Sequence, residues 1–386
     1  MAFSKKRTYL DWAAAAPTSA LAHRAFENAT QLAGNPSSPH AEGRAAKGAL
    51  EDARLRIARL AGTKQDAVIF TSGATEANAL GIRGYVGALV EKGKNIHVLY
   101  MPSAHASVLG AIGALRVETE ALSLKDGAID LSRLKEQVRP ETMLVIVDVV
   151  CGETGALYKV RDVRRALDTA RKNGPRIMLF ADASQAPRTE SFEPAHLGAD
   201  MLSLDAQKVG GVRGIGALIA PRYVALNPLL QGGGQERGLR PGTESPALAT
   251  AFAAALEECA QNRSSFAEKA ARKRQSLLEA IATIPGLEVN GGKENVPNIL
   301  NVSLHGRDTD YLAALLDEAG FAVSTKSACE TDEKGSRAVL AMTGDEARAT
   351  STLRISWGPT TTQNDLTRFA DALLSSVRFM DGNTIQ

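Results

Sequence analysis

The chain has 386 residues, enough to bury a substantial core and to divide into more than one folded unit. Its 45 Lys and Arg against 43 Asp and Glu leave a formal charge of +2, with both signs interspersed and no basic tract, which removes charge-driven nucleic-acid binding. No apolar stretch approaches the ~20 residues a membrane-spanning helix needs, and the three cysteines, Cys151, Cys259 and Cys329, lie too far apart for a disulfide framework or a metal site, so no metal is expected.

The amino terminus, Lys5-Lys6-Arg7 followed by Tyr9-Leu10 and Ala13 to Ala16, has the outline of a secretory leader. Asp11 and Pro17 break its apolar run, so it reads as mature sequence of a cytoplasmic protein. Short apolar runs follow at Ala67 to Phe70, Ile96 to Tyr100, Met143 to Val147, Ile177 to Phe180, Met201 to Leu204 and Gly216 to Ala220. Their shortness and lack of clean polar alternation predict strands buried on both faces. Helical patterns separate them, at Ala74 to Lys92, Ser132 to Val138 and Val160 to Lys172. This alternation predicts a large, doubly wound α/β domain with a mostly parallel sheet, spanning 13–245. Past Gly242 the pattern changes to an alanine-rich helix from Ser245 to about Thr283, a loop at Gly286 to Gly292 and a strand at Ile299 to Leu304. A helix at Asp308 to Glu318 and a strand at Ala322 to Ser324 complete a smaller α+β domain, to which 1–12 and 246–386 are assigned.

Three features carry chemistry. Val68 to Glu76 runs from a strand through a hydroxyl-rich turn into a helix, and the unpaired N–H groups of such a helix start form a cup for an anion. Taken alone, that motif more often marks an ordinary capped helix. Asp182 stands just past an apolar strand, where ligands sit in open α/β sheets, although a carboxylate there also serves as a helix cap. Lys208 follows the next strand and opens the turn Gly210-Gly211-Val212-Arg213-Gly214. Together, in this order, they point to a Schiff-base lysine and a carboxylate that pairs with a pyridinium nitrogen.

With these residues in place the chain resembles the class V aminotransferase family of fold-type I pyridoxal-phosphate enzymes, and within it the cysteine desulfurases. The matching stretches are Tyr9-Leu10-Asp11 through Pro17, Gly34 to His40, Thr71 to Asn78, His105, Asp182 to Gln185, Lys208 to Gly216, Gly232 to Thr243, and Ser327-Ala328-Cys329 through Gly358. The resemblance implies pyridoxal 5'-phosphate as cofactor, with Lys208 bonded to it and shuttling protons, Asp182 on the pyridinium nitrogen, Gln185 on the phenolic oxygen and His105 stacked on the ring. It assigns Ala74 and Thr75 to the phosphate, together with Thr243 from a neighbouring subunit of a homodimer. Arg354, with Asn35, falls on the substrate side, an arginine fork being suited to a planar carboxylate. Cys329, in a polar loop flanked by Lys326 and Lys334, matches the cysteine that takes sulfur from L-cysteine as a persulfide and passes it on. The long spacing from Cys329 to Arg354 resembles the subgroup that supplies iron–sulfur scaffold proteins and tRNA thiolation. Cys259 reads as a buried core residue, and Cys151, at a strand end, stays ambiguous.

The chain departs from the family at the cofactor. Asp205 and Gln207 stand where the family has a serine and a histidine that bind the phosphate, and an ionised Asp205 would repel it unless it turned away or paired with Arg213. Gly152 replaces an asparagine that helps hold the cofactor oxygen. The readings left open are another class V reaction, such as selenocysteine lyase or aminotransferase, and a non-catalytic dimeric paralogue with weakened cofactor binding.

Overall fold

A computed structural model describes residues 7–325 and 335–383. Seven strands form the central sheet: β1 (Val68–Thr71), β2 (His97–Tyr100), β3 (Glu118–Ala121), β4 (Thr142–Asp148), β5 (Met178–Asp182), β6 (Met201–Asp205) and β7 (Gly216–Ile219). They lie in the order β1-β7-β6-β5-β4-β2-β3, parallel throughout except that β7 runs antiparallel to both of its neighbours. Every residue of β1, β4, β5, β6 and β7 is buried, as expected for strands covered on both faces. The edge strand β3 was not anticipated, because Glu118-Thr119-Glu120-Ala121 is polar and largely exposed.

Helix α1 spans Ala41–Leu60. Helix α2 begins directly after β1 at Ala74–Ala79, passes through a π-turn at Leu80–Gly84 and resumes at Tyr85–Val90. It lies close on the sheet because Gly81 sits against Phe180 of β5, where an added Cβ would come within 2.4 Å of the ring. Gly216 does the same for β7, since a Cβ there would lie 2.6 Å from the Gly73 backbone.

The carboxy-terminal part holds a three-stranded antiparallel sheet of β8 (Leu287–Asn290), β9 (Ile299–Leu304) and β10 (Thr352–Ser356), with β9 in the centre. The loop expected at Gly286 to Gly292 is therefore a short edge strand, held by its ladder to β9 even though only Asn290 is fully buried. The expected strand at Ala322 to Ser324 shifts to Phe321–Ala322, which pairs in parallel with Thr8–Tyr9, while Ser324 makes an isolated bridge to Arg354. The long helix α3 spans Pro246–Ile281 and joins two apolar clusters. Its Ala249 to Cys259 half packs into the cluster around the seven-stranded sheet, and Phe266 to Ile281 into a second one with Leu10, Trp357 and Phe369.

A buried ion pair ties the segment before α3 to the main sheet. Arg54 of α1 forks onto Glu236 with contacts of 2.6 and 2.7 Å, and Glu236 also accepts the Phe70 N–H at 2.8 Å. Both side chains are almost fully buried, 9% and 1% exposed, and the backbone of Glu236 is held at a φ of +47°. Removing one partner strands a buried charge, so Glu236→Ala is expected to cost about 3 kcal/mol in chemical unfolding. Glu51→Ala, which removes the half-exposed second partner of Arg54, is expected to cost less than about 1 kcal/mol, and equal losses would contradict this account.

The β4–β5 register sets Asp148 directly beside Asp182 on one face of the sheet. Burial, and secondarily the neighbouring Asp182 charge, hold the Asp148 carboxyl well above the usual carboxylate range. The native state therefore keeps a proton that the unfolded chain releases near pH 4, and stability declines as pH rises through the native value. Asp148→Asn is expected to be more stable than the parent near pH 7, with the gap closing toward about pH 4. A denaturation series showing no gain at neutral pH would refute this.

Candidate active site

The carboxyl ends of β4, β5 and β6 meet the start of α2, and one cavity opens there. Asp182 closes β5 as a buried carboxylate that accepts Asn78 Nδ2 and the Ser184 N–H, each at 2.9 Å. Beyond β6, Asp205 caps a one-turn helix at Ala206–Lys208, which delivers Lys208 to the opposite wall. Lys208 Nζ donates to the carbonyls of Ala13 (2.9 Å) and Ala14 (2.6 Å), and Gln185 Nε2 donates to the same Ala13 oxygen at 2.8 Å. The amino-terminal segment thus supplies backbone acceptors that hold two of the expected site residues in place.

His105 caps the helix Ala106–Gly113, its Nδ1 accepting the Ser107 N–H at 3.1 Å, and its ring also faces the cavity. The capping role and the cavity-facing role therefore coincide in one residue. Its pKa is lowered chiefly by the surrounding protein, with Lys208 and Arg337 adding to the effect and Asp182 and Asp205 opposing it, so the imidazole is neutral at physiological pH. Arg354 lies within β10, which fixes its guanidinium at the cavity wall. It donates to Asp11 at 2.8 Å and to the Gly152 carbonyl at 3.1 Å, while its buried Nε has no partner among the described residues.

Ala74, Thr75, Asp205 and Gln207 line the same cavity. Asp205 does not turn toward Arg213, which is exposed; its carboxylate instead accepts the Ala74 N–H at 3.1 Å, and the Gln207 N–H at 3.1 Å. Asn35 and Thr243 are exposed and lie outside the cavity, Asn35 using its side chain to accept the Ser37 N–H. Cys329 falls outside the described residues. Cys151 lines the cavity, but burial, reinforced by Asp148 and Glu153, pushes its thiol up to about 11. Cys259 is buried and donates to the Val209 carbonyl at 3.3 Å, and burial raises its pKa too, so neither thiol is poised as a nucleophile.

Two cavity carboxylates, and a residue behind Asp182, escaped the sequence reading. Asp148 ends an apolar strand just as Asp182 does, so the same strand-end argument would have found it. Glu153 is buried, its carboxyl raised by burial, and Asn78 orients Asp182. Among the described residues no cluster of three metal-binding side chains occurs, and no helix is long and apolar enough to cross a membrane.

Pyridoxal phosphate fits most of this cavity. An amine and a buried carboxylate face it from two adjacent strand ends, and an arginine whose Nε has no partner among the described residues stands at its wall. The exception is the start of α2, where the Asp205 carboxylate already holds the Ala74 N–H.

Comparison with known proteins agrees with this geometry. The family model described as Aminotransferase class-V matches residues 8–369. A "Cysteine desulfurase IscS" from Neisseria meningitidis serogroup C is 34% identical over 386 aligned residues, covering 96% of this chain and 92% of that protein. "Cysteine desulfurase IscS 1" of Archaeoglobus fulgidus is 32% identical, covering 89% and 90%. A solved structure titled "NIFS-LIKE PROTEIN" superposes with a TM-score of 0.90 at 26% identity, covering 97% of this chain and all of that one. The mostly parallel seven-stranded sheet, the cavity at its carboxyl ends and these matches lead to one conclusion: this chain belongs to the aminotransferase class-V family.

Proposed function

We propose that this chain is a pyridoxal-phosphate-dependent cysteine desulfurase, which converts L-cysteine to L-alanine and leaves the sulfur as a persulfide on Cys329. The observation that carries the reading is the convergence of Lys208, Asp182 and Arg354 on one cavity, in a chain whose relatives bear that name. When bound there, pyridoxal phosphate would supply an electrophilic aldehyde and an electron-withdrawing ring. Every other part falls to this chain. Lys208 would hold the cofactor through its aldehyde, and its amine, once free, would move the proton at the substrate Cα. Asp182, fixed by Asn78 and the Ser184 N–H, keeps the ring nitrogen protonated. Gln185 would serve the phenolic oxygen, and neutral His105 would lie against the ring without adding charge. Arg354 grips the α-carboxylate.

The Cys329 thiolate then attacks the substrate sulfur. A sulfur–sulfur bond forms, the carbon–sulfur bond breaks with its electron pair left on the three-carbon fragment, and one proton on its Cβ with one returned to Cα completes alanine. We assign 13–245 to the cofactor-binding unit and 1–12 with 246–386 to the unit bearing the cysteine, a division supported by the two apolar clusters. Thr243, exposed outside its own cavity, is assigned to the neighbouring subunit of a homodimer. A thiol-bearing acceptor protein in the cytoplasm, of the kind that feeds iron–sulfur clusters or tRNA thiolation, would receive the sulfur.

Purified protein with pyridoxal phosphate is expected to show an absorbance band near the visible edge that Lys208→Ala abolishes. With L-cysteine it should release alanine, and sulfide once a thiol reductant is added; Cys329→Ser should keep the band and lose both products. Keto-acid formation that survives Cys329→Ser would instead place the chain with other class V reactions. Arg354→Lys replaces a planar fork with a point charge, so the KM for cysteine should rise roughly 10- to 100-fold while the band stays. An unchanged KM would remove Arg354 from the substrate site.

A further inference from the structure

We propose that the Asp205 carboxylate is a built-in occupant of the phosphate cup, so that the cofactor's phosphate adds little to binding and the site accepts unphosphorylated pyridoxal nearly as well as pyridoxal phosphate. This rests on the cofactor reading above. Its basis is a bridge made by one side chain. Oδ2 of Asp205 accepts the Ala74 N–H, the first donor of α2, at 3.1 Å, and Oδ1 accepts the Gln207 N–H at 3.1 Å, capping the turn that carries Lys208. Gln207 Nε2 also faces Oδ2, at 3.5 Å. The carboxylate is 7% exposed and lines the cavity with Ala74, Thr75 and Lys208.

Three donors that would serve an incoming phosphate therefore already face an anion. A phosphate entering the cup must break the Ala74 bond, and if Asp205 swings clear it also uncaps the Lys208 turn. If Asp205 stays, two anions share one helix start, and like charges a few ångströms apart repel strongly in a partly dry site. The second carboxylate nearby offers no relief. Glu76 accepts the Ser72 N–H at 2.5 Å and pairs with Arg240 at 3.2 Å, so Arg240 is already committed there. The ring end of the site is less exposed to this competition, because Asp182 approaches from the end of the neighbouring strand β5.

The test is equilibrium binding, not turnover. Full-length protein stripped of aldehyde with hydroxylamine and desalted is titrated separately with pyridoxal phosphate and with pyridoxal, reading the visible band that depends on Lys208. The two dissociation constants for the parent are expected to agree within about tenfold. Asp205→Asn keeps the shape and removes the charge; it and Asp205→Ser should each tighten pyridoxal phosphate at least about tenfold and change pyridoxal less than about threefold. The isosteric Asn variant carries the test if the Ser variant fails to fold. A parent that prefers the phosphorylated form by more than about a hundredfold, or variants with unchanged affinity for it, would overturn the inference while leaving the desulfurase reading intact. A parent that gives no Lys208-dependent band with either aldehyde would sink the desulfurase reading itself, and this inference with it.

Discussion

The register of three parallel strands governs the rest of this molecule. Because β4, β5 and β6 end side by side, Asp148, Asp182 and the turn that carries Lys208 open onto one edge of the sheet, with the start of α2 above them. A slip of one residue in any of these ladders would turn a chemical group to the opposite face. The complete burial of these strands is what fixes the ladders, since each residue of the three is packed on its own side. Gly81 and Gly216 then bring α2 and β7 close enough for the helix start to belong to the same cavity.

The cavity's electrostatics are unusually acidic for a place that is to receive a phosphate. Asp148, Glu153, Asp182 and Asp205 all line it, against Lys208 and Arg354, with His105 neutral. Burial divides these acids into different roles. Burial raises the carboxyls of both Asp148 and Glu153, Asp148 well above the usual carboxylate range, while Arg354 and Arg337 oppose the rise at Glu153. Asp182 and Asp205 are each held by a backbone N–H and at least one further donor. On the proposed reading Asp182 would face a cationic ring nitrogen, whereas Asp205 would stand where the cofactor's most negative group goes.

Much of this arrangement was legible from the residues. Six buried apolar runs marked six of the seven sheet strands, and Lys208, Asp182, Gln185, His105, Ala74 and Thr75 all line one cavity. What escaped detection did so for physical reasons. The edge strand β3 is polar and largely exposed, and β8 is a four-residue strand with Glu288 and Val289 exposed, so neither shows a buried apolar run and each takes its ladder from a single neighbour. The carbonyls of Ala13 and Ala14, which hold Lys208 and Gln185, are backbone groups without any residue-type signal. The side chain of Asp205 had several directions open to it in the sequence, and only the approach of α2 to β6 selects the Ala74 N–H. Asn35 and Thr243 lie outside the cavity, which leaves a role for Thr243 only across a subunit boundary.

The account turns on sulfur arriving at a single thiol. Cys151 lines the cavity and is the competitor on grounds of position, yet burial keeps it a protonated thiol. The decisive measurement is mass spectrometry of peptides from the pyridoxal-phosphate-loaded protein after a brief exposure to L-cysteine labelled with a heavy sulfur isotope. The label is expected on Cys329, with none on Cys151 or Cys259. Alanine production with the label on Cys151, or with no labelled cysteine at all, would contradict the account.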